Sequence, residues 1–323
     1  MSIALEPLSH KVQRAAVGTM VDVALAHVRK DRQKVFAEMV DVAKQFYGDS
    51  FSEETYEHAR AVLTDADSKW SKLINCVLDQ TAPNVARTTA LNLGYEAFFR
   101  GTKTIRENRT KYHCNIPWLI LFDPTSACNM HCVGCWAGEY GHKNNLSFED
   151  MDKIITEGKE LGVYLYMLTG GEPLVRKADI LRLAKKHNDV QFAIYTNSTL
   201  IDEPFCEEVV KLGNIAFMLS IEGTPSTNDA RRGDGHYAAV MNAMDLLKAH
   251  GILFWHLHLL YQRQSRSRYQ RPLYADALRQ GCALRVLLPL YAGRQRGRAG
   301  ADAHACSAQV HDRAHPVSPL RKE

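Results

Sequence analysis

The chain has 323 residues, 46% of them hydrophobic and 24% charged, and a formal net charge of +4, a composition that implies a real core and excludes disorder throughout. The amino terminus, MSIALEPLSHKVQ, has no apolar run behind a basic start, and no stretch approaches the ~18 apolar residues of a membrane span, so a cytoplasmic protein without a span is expected. Eight cysteines in that setting are expected as thiols, and clustered ones then point to metal or catalysis rather than to disulfides.

From about Leu8 to Arg109 apolar residues recur at three- and four-residue steps. Val12, Ala15, Ala16, Met20, Val23, Ala24 and Val28 make one apolar face, with Lys11, Arg14, Asp22, Arg29 and Lys30 opposite, as in a surface helix packed on a core. Ser50 and Glu53 form a capping-box pattern before a helix through Tyr56 to Val62; further helices are expected at 68–80 and 84–100, with Gly101 marking an end. Nothing here has catalytic spacing, and Cys76 and Cys114 read as buried or incidental thiols. Residues 1–112 are expected to form an all-helical amino-terminal domain.

After Lys111 the pattern becomes short apolar strands alternating with helices. Strands are expected at Trp118–Asp123, Val163–Leu168, Gln191–Thr196 and Ile215–Ile221, with helices at Phe148–Leu161, Ala178–His187, Glu203–Leu212 and Tyr237–His250. Ser147 and Asp150 cap the first of these helices, and a fifth strand begins at Gly251–Phe254. Such alternation builds a parallel sheet with right-handed crossovers, so residues 113–254 are expected as an α/β core, a partial (βα) barrel.

Each of the first four strands runs into an unusual segment: a cysteine loop, Thr169-Gly-Gly-Glu-Pro173, Thr196-Asn-Ser198, and Ser220-Ile-Glu-Gly223. All lie at carboxyl ends of parallel strands, where ligands bind in such folds, so one shared site is the economical reading. The cysteine loop reads Cys128-Asn-Met-His-Cys132-Val-Gly-Cys135. Three thiolates on a short loop wrap an iron–sulfur cluster and leave one iron open; a zinc site using His131, or three incidental thiols, are the other readings.

Cys-x3-Cys-x2-Cys after the first strand, followed by Gly-Gly-Glu-Pro after the second, resembles the radical S-adenosylmethionine (radical SAM) superfamily over about residues 115–254. The resemblance implies a partial (βα) barrel of radical SAM type, incomplete at its carboxyl-terminal end. It also implies that Cys128, Cys132 and Cys135 ligate a [4Fe–4S] cluster whose open iron chelates the amino and carboxylate groups of S-adenosylmethionine. Reductive cleavage of the sulfonium would then give methionine and a 5′-deoxyadenosyl radical that abstracts hydrogen from an unidentified substrate. A low-potential electron donor of ferredoxin or flavodoxin type is the implied partner. Gly170 and Gly171 are expected to let backbone approach a ligand, Pro173 to fix the exit of the turn, and Glu172 to meet the ligand's ammonium or brace the loop. Asn197, Ser220 and Glu222 offer polar groups at the height of the ribose and methionine moieties, or act as loop caps. Gly134 stands where the family often has an aromatic residue, and Trp136 follows the third cysteine. Arg231 and Arg232, with Asp229, Asp234 and His236, are expected as a solvated charge cluster, the alternative being a guanidinium that holds a carboxylate.

Residues 255–323 differ in kind. Residues 1–254 hold 28 Lys+Arg against 32 Asp+Glu; the tail holds 12 against 4, with eleven Arg, one Lys and no Ile, Met, Phe, Thr or Asn. A selected basic tail would suit nucleic acid, but the missing residues are those of AT-rich codons, which argues for a segment read out of frame and poorly ordered, and against nucleic-acid binding. A clean frame across codon 254 in the gene would exclude this. Only Cys206, Cys282 and Cys306 follow Cys135, so no second cysteine-rich domain is expected. Substrate specificity is expected from the helical domain and the carboxyl-terminal part. The rival readings are a zinc-stabilised binding protein with a basic tail, and an inactive truncated radical SAM protein.

Overall fold

The computed structural model describes residues 5–28, 31–47, 52–135, 137, 143–260 and 285–289. Helices α1 (Leu5–Val28), α2 (Arg32–Tyr47), α3 (Glu53–Thr64) and α4 (Lys69–Gln80) lead into α5 (Pro83–Thr89), a π-helical stretch at Ala90–Gly101, and α6 (Thr102–Tyr112). Ser52, not Ser50, caps α3, its hydroxyl accepting from Thr55 N; Ser50 lies outside the described residues. Gly101 does not end a helix. It keeps a helical φ of −62°, and the run continues to His113, whose φ of +51° stops it. The glycine serves close packing instead, because a Cβ there would strike the Gly162 carbonyl and lie 3.1 Å from the Tyr164 ring.

The rest is strand and helix in turn: β1 (Leu119–Thr125), α7 (Phe148–Leu161), β2 (Leu165–Gly170), a 3-10 turn at Pro173–Arg176, α8 (Lys177–Lys186), β3 (Gln191–Thr196), α9 (Glu203–Leu212), β4 (Ile215–Ser220), α10 (Pro225–Arg232), α11 (His236–Ala249), β5 (Phe254–Leu260) and β6 (Arg285–Pro289). The six strands are parallel and ordered β1 to β6, with no pairing of β6 back to β1 among the described residues, so the sheet is an open, partial barrel. Helix α10 is not among the helices expected from the sequence. Thr224 and Thr227 make a reciprocal capping box there and Pro225 opens the first turn, which is enough to start eight residues of helix.

One row of side chains shows how the sheet buries its outer face. Phe122, Leu168, Ile194, Phe217 and Phe254 are register partners across five strands, and all are buried in one cluster with Ile155, Leu183, Val209 and Leu247 of the covering helices. Each such side chain contributes roughly 1.5–3 kcal/mol on leaving water.

The helical region docks on the amino-terminal ends of the strands. Ala82 N donates to Gly251 O before β5, Asn84 donates to Val210 O and Lys211 O before β4, Asn92 to Asn188 O and Val190 O before β3, and Asn108 to Glu160 O before β2. The cysteine loop is at the other end. Residues 82–108 therefore brace the bottom of the sheet, at the end opposite the cysteine loop. Of residues 255–323, β5 and β6 are described, and β5 pairs with β4 in register although the change in composition begins at Trp255. The remainder of the tail, with Cys282 and Cys306, lies outside the described residues.

Candidate functional site

The site forms where β1 to β4 end. Cys128, Cys132 and Cys135 are in no disulfide, and each is half-buried. Cys132-Val-Gly-Cys135 closes as a turn, with Cys135 N donating to Cys132 O at 3.1 Å, and Gly134 at φ +68° supplies the left-handed residue the turn requires. That conformation disfavours the aromatic residue seen there in the family. Trp136 lies outside the described residues.

The double glycine meets protein rather than open space. A Cβ on Gly171 would run into the Ala127 carbonyl and lie 2.6 Å from Ser126 O; one on Gly170, at φ +110°, would lie 2.7 Å from Thr125 O. Gly171 N donates to Thr125 O at 3.0 Å and Glu172 N to Ala127 O at 2.8 Å. The glycines thus let the second loop lie flat against the chain entering Cys128.

Glu172 is a brace. Its carboxylate, 1% exposed, accepts from Leu174 N (3.0 Å), Thr196 Oγ1 (2.7 Å) and Asn197 N (2.7 Å), tying the second loop to the third. Burial pushes its pKa up, and the three donors pull it back. Pro173 follows, buried, at the first position of the 3-10 turn. Asn197 reaches the cysteine loop itself: its Nδ2 donates to Asn129 Oδ1 at 2.8 Å and lies 3.9 Å from Cys128 Sγ.

From Asn197 a chain of buried contacts crosses to the fourth loop. His236 Nε2 bonds Asn197 O at 2.9 Å, its Nδ1 bonds Asn228 Nδ2 at 2.9 Å, and Asn228 Oδ1 accepts from Glu222 N at 3.0 Å. Because Asn228 donates, Nδ1 must accept, which assigns the histidine proton to Nε2. Arg231 Nη1 (2.9 Å), Arg232 Nε (2.5 Å) and Arg232 Nη2 (2.8 Å) converge on the Glu222 carboxylate. Arg231 O accepts from Val133 N at 2.8 Å, inside the cysteine turn. The belt leaves the cysteine loop at Asn129 and returns to it at Val133. Ser220 ends β4, half-buried. Arg231, Arg232 and His236 are therefore not a solvated charge cluster; of the five residues expected in it, Asp234 alone is exposed.

Asn228 and Asn129 were not singled out in the sequence. Single polar residues in loops carry no periodicity, and their one signal was position after a strand.

The thiols fit a cluster. Burial raises the pKa of Cys128 and of Cys132; the charges of Cys132 and Cys135 add to the rise at Cys128 and that of Cys135 to the rise at Cys132, where Arg232 and Arg231 oppose it. Half-buried thiols this close to one another need a cation to ionise together. Among the described residues no three His, Cys, Asp or Glu side chains converge on one metal ion.

A family model described as the radical SAM superfamily matches residues 122–269. An uncharacterised protein of Archaeoglobus fulgidus is 34% identical over 46% of this chain and 37% of its own, and the Fe-coproporphyrin III synthase of Methanosarcina barkeri is 30% identical over 42% of this chain and 35% of its own. The chain thus spans little more than a third of the length of these relatives. Among solved structures, Streptococcus suis SuiB superposes with a TM-score of 0.50 at 15% identity over 84% of this chain and 58% of that one, a likeness of fold. The three-cysteine loop and the glycine loop braced against it both lie within the segment that the radical SAM superfamily model matches.

Proposed function

We propose that the protein is a radical SAM enzyme whose Cys128, Cys132 and Cys135 hold a [4Fe–4S] cluster beside an S-adenosylmethionine site formed by the loops after β2, β3 and β4. The observation that carries the reading is the set of three half-buried thiols joined by one polar belt to the Gly170–Pro173, Asn197 and Glu222 loops. When bound, the cluster supplies the electron for reductive cleavage of S-adenosylmethionine and hydrogen abstraction from an organic substrate. The chain's own part is positional. Glu172 holds the second and third loops together, Asn197 fixes Asn129 next to the first thiol, and Glu222 locks Arg231 and Arg232 behind the second and third. The electron would come from a ferredoxin or flavodoxin type donor in the cytoplasm. Relatives bear names as different as Fe-coproporphyrin III synthase, mycofactocin maturase and GTP 3′,8-cyclase, which supports a shared radical step and leaves the substrate to the rest of the protein.

Anaerobic reconstitution with iron and sulfide tests the reading. The wild-type protein is expected to turn brown, bind about four irons and cleave S-adenosylmethionine under dithionite. Cys132→Ala should lose the chromophore and the cleavage while keeping its fold by circular dichroism. Zinc bound in place of iron, or iron content unaffected by the substitution, would overturn it.

A further inference from the structure

Radical chemistry of this kind requires a cluster held at low potential, and three features of α10 and β4 bear on how this chain sets that potential. First, Glu222 at 1% exposure takes hydrogen bonds from two guanidiniums whose side chains are 9% and 8% exposed. Second, the group is anchored to the cysteine turn by Val133 N donating to Arg231 O at 2.8 Å, so its distance from Cys132 and Cys135 is fixed by backbone. Third, the two cations and one anion together carry a single positive charge, and charges at this depth are weakly screened. Cys132 and Cys135 act on Arg232 by Coulomb interaction, and Arg232 and Arg231 act on Cys132.

Burying three charged side chains carries a desolvation cost that an ion pair alone repays poorly. A surplus positive charge next to three thiolates changes the balance. A [4Fe–4S] cluster on three thiolates carries a net negative charge, and reduction by one electron makes it more negative. A fixed guanidinium nearby stabilises the reduced form more than the oxidised one, and a fixed carboxylate does the opposite.

We propose that Arg231, Arg232 and Glu222 are positioning residues that set the reduction potential of the cluster on Cys128, Cys132 and Cys135: the guanidiniums raise it, the carboxylate restrains that effect, and Arg231 also pins the cysteine turn. The inference rests on the cluster assignment made above. It concerns the cluster in the absence of S-adenosylmethionine and is separate from any contact these arginines make with that molecule.

The test is an EPR-monitored dithionite titration of the anaerobically reconstituted protein without S-adenosylmethionine, alongside iron analysis and circular dichroism. Arg232→Gln is expected to shift the midpoint to more negative potential, since it removes a positive charge and leaves Arg231 paired with Glu222. Glu222→Gln is expected to shift it to more positive potential. Arg232→Lys, which keeps the charge and loses the planar fork, should stay near wild type. Opposite signs for the first two variants distinguish charge from mere loosening, because water entering a disturbed site shifts both the same way. Equal shifts in both variants, or no shift in Arg232→Gln, overturn the proposal while leaving the cluster in place. Should Glu222→Gln fail to fold, Arg232→Gln decides against Arg232→Lys, and identical midpoints for those two reject the idea. Failure of the wild-type chain to assemble any cluster overturns the underlying reading, and this inference with it.

Discussion

Gly171 shows what a single residue decides. Its amide donates to Thr125 O, and the absent side chain leaves room for the Ala127 carbonyl one residue before Cys128. Gly171→Ala must push either the second loop or the cysteine loop aside. We expect a loss of about 1–3 kcal/mol in urea unfolding, the usual cost of overpacking, together with lower iron retention after reconstitution. A variant with normal stability and full iron content would show that the two loops are not coupled through this contact. Glycine, glutamate and cysteine were each recognisable as special in the sequence. Their actual partners were not, because Glu172 meets Thr196 and Asn197 only after two strands and a helix have been laid side by side.

At the scale of elements, the loops after β2, β3 and β4 act together through His236. Burial and the nearby Arg232 hold its pKa below the usual 6.5, and burial does the same for His187, which bonds Asp152 beneath the sheet. The folded protein therefore keeps both imidazoles neutral, while the unfolded chain takes up protons as pH falls through about 6.5. Stability should be fully present above that pH and decline below it, levelling off once the lowered folded values are passed. Urea midpoints measured between pH ~7.5 and ~5.5 should show this fall. His236→Gln, whose amide can still donate to Asn197 O and accept from Asn228, should flatten it; an unchanged slope would mean that His236 does not contribute. The helices and strands behind this belt were legible in outline. Phe148–Leu161, Gln191–Thr196 and Glu203–Leu212 agree to the residue with their expected bounds, the other expected core elements up to α11 shift by one or two, and β5 starts at Phe254, three residues after Gly251. α10 escaped notice because it is short and strongly polar, and its start is set by a local cap at Thr224 rather than by an apolar face.

Across the whole molecule, function and stability occupy opposite ends of the strands, as in other parallel α/β folds. Asn92 illustrates the stability end. Fully buried, it donates to Asn188 O and Val190 O and accepts from Arg14, joining the π-helical stretch to the approach of β3. Asn92→Ala should cost about 1–3 kcal/mol through orphaned buried groups, read as a lower urea midpoint, and should leave iron content per folded chain unchanged. Loss of the cluster at full stability would contradict that separation. No described helix is long and apolar enough to cross a membrane.

By itself the sequence carried the three-cysteine spacing and the alternation of strands and helices, since residue spacing and apolar period are local properties written along the chain. The altered composition after Phe254 was equally plain. Only the tertiary structure decided which end of the sheet the amino-terminal helices would brace, that the double glycine would face the cysteine loop, and that Arg231 and Arg232 would be buried on Glu222 behind it. Those outcomes depend on contacts between segments far apart in sequence. A polar residue's role is fixed by the partner that burial forces it to find, and that partner is named nowhere nearby in the chain.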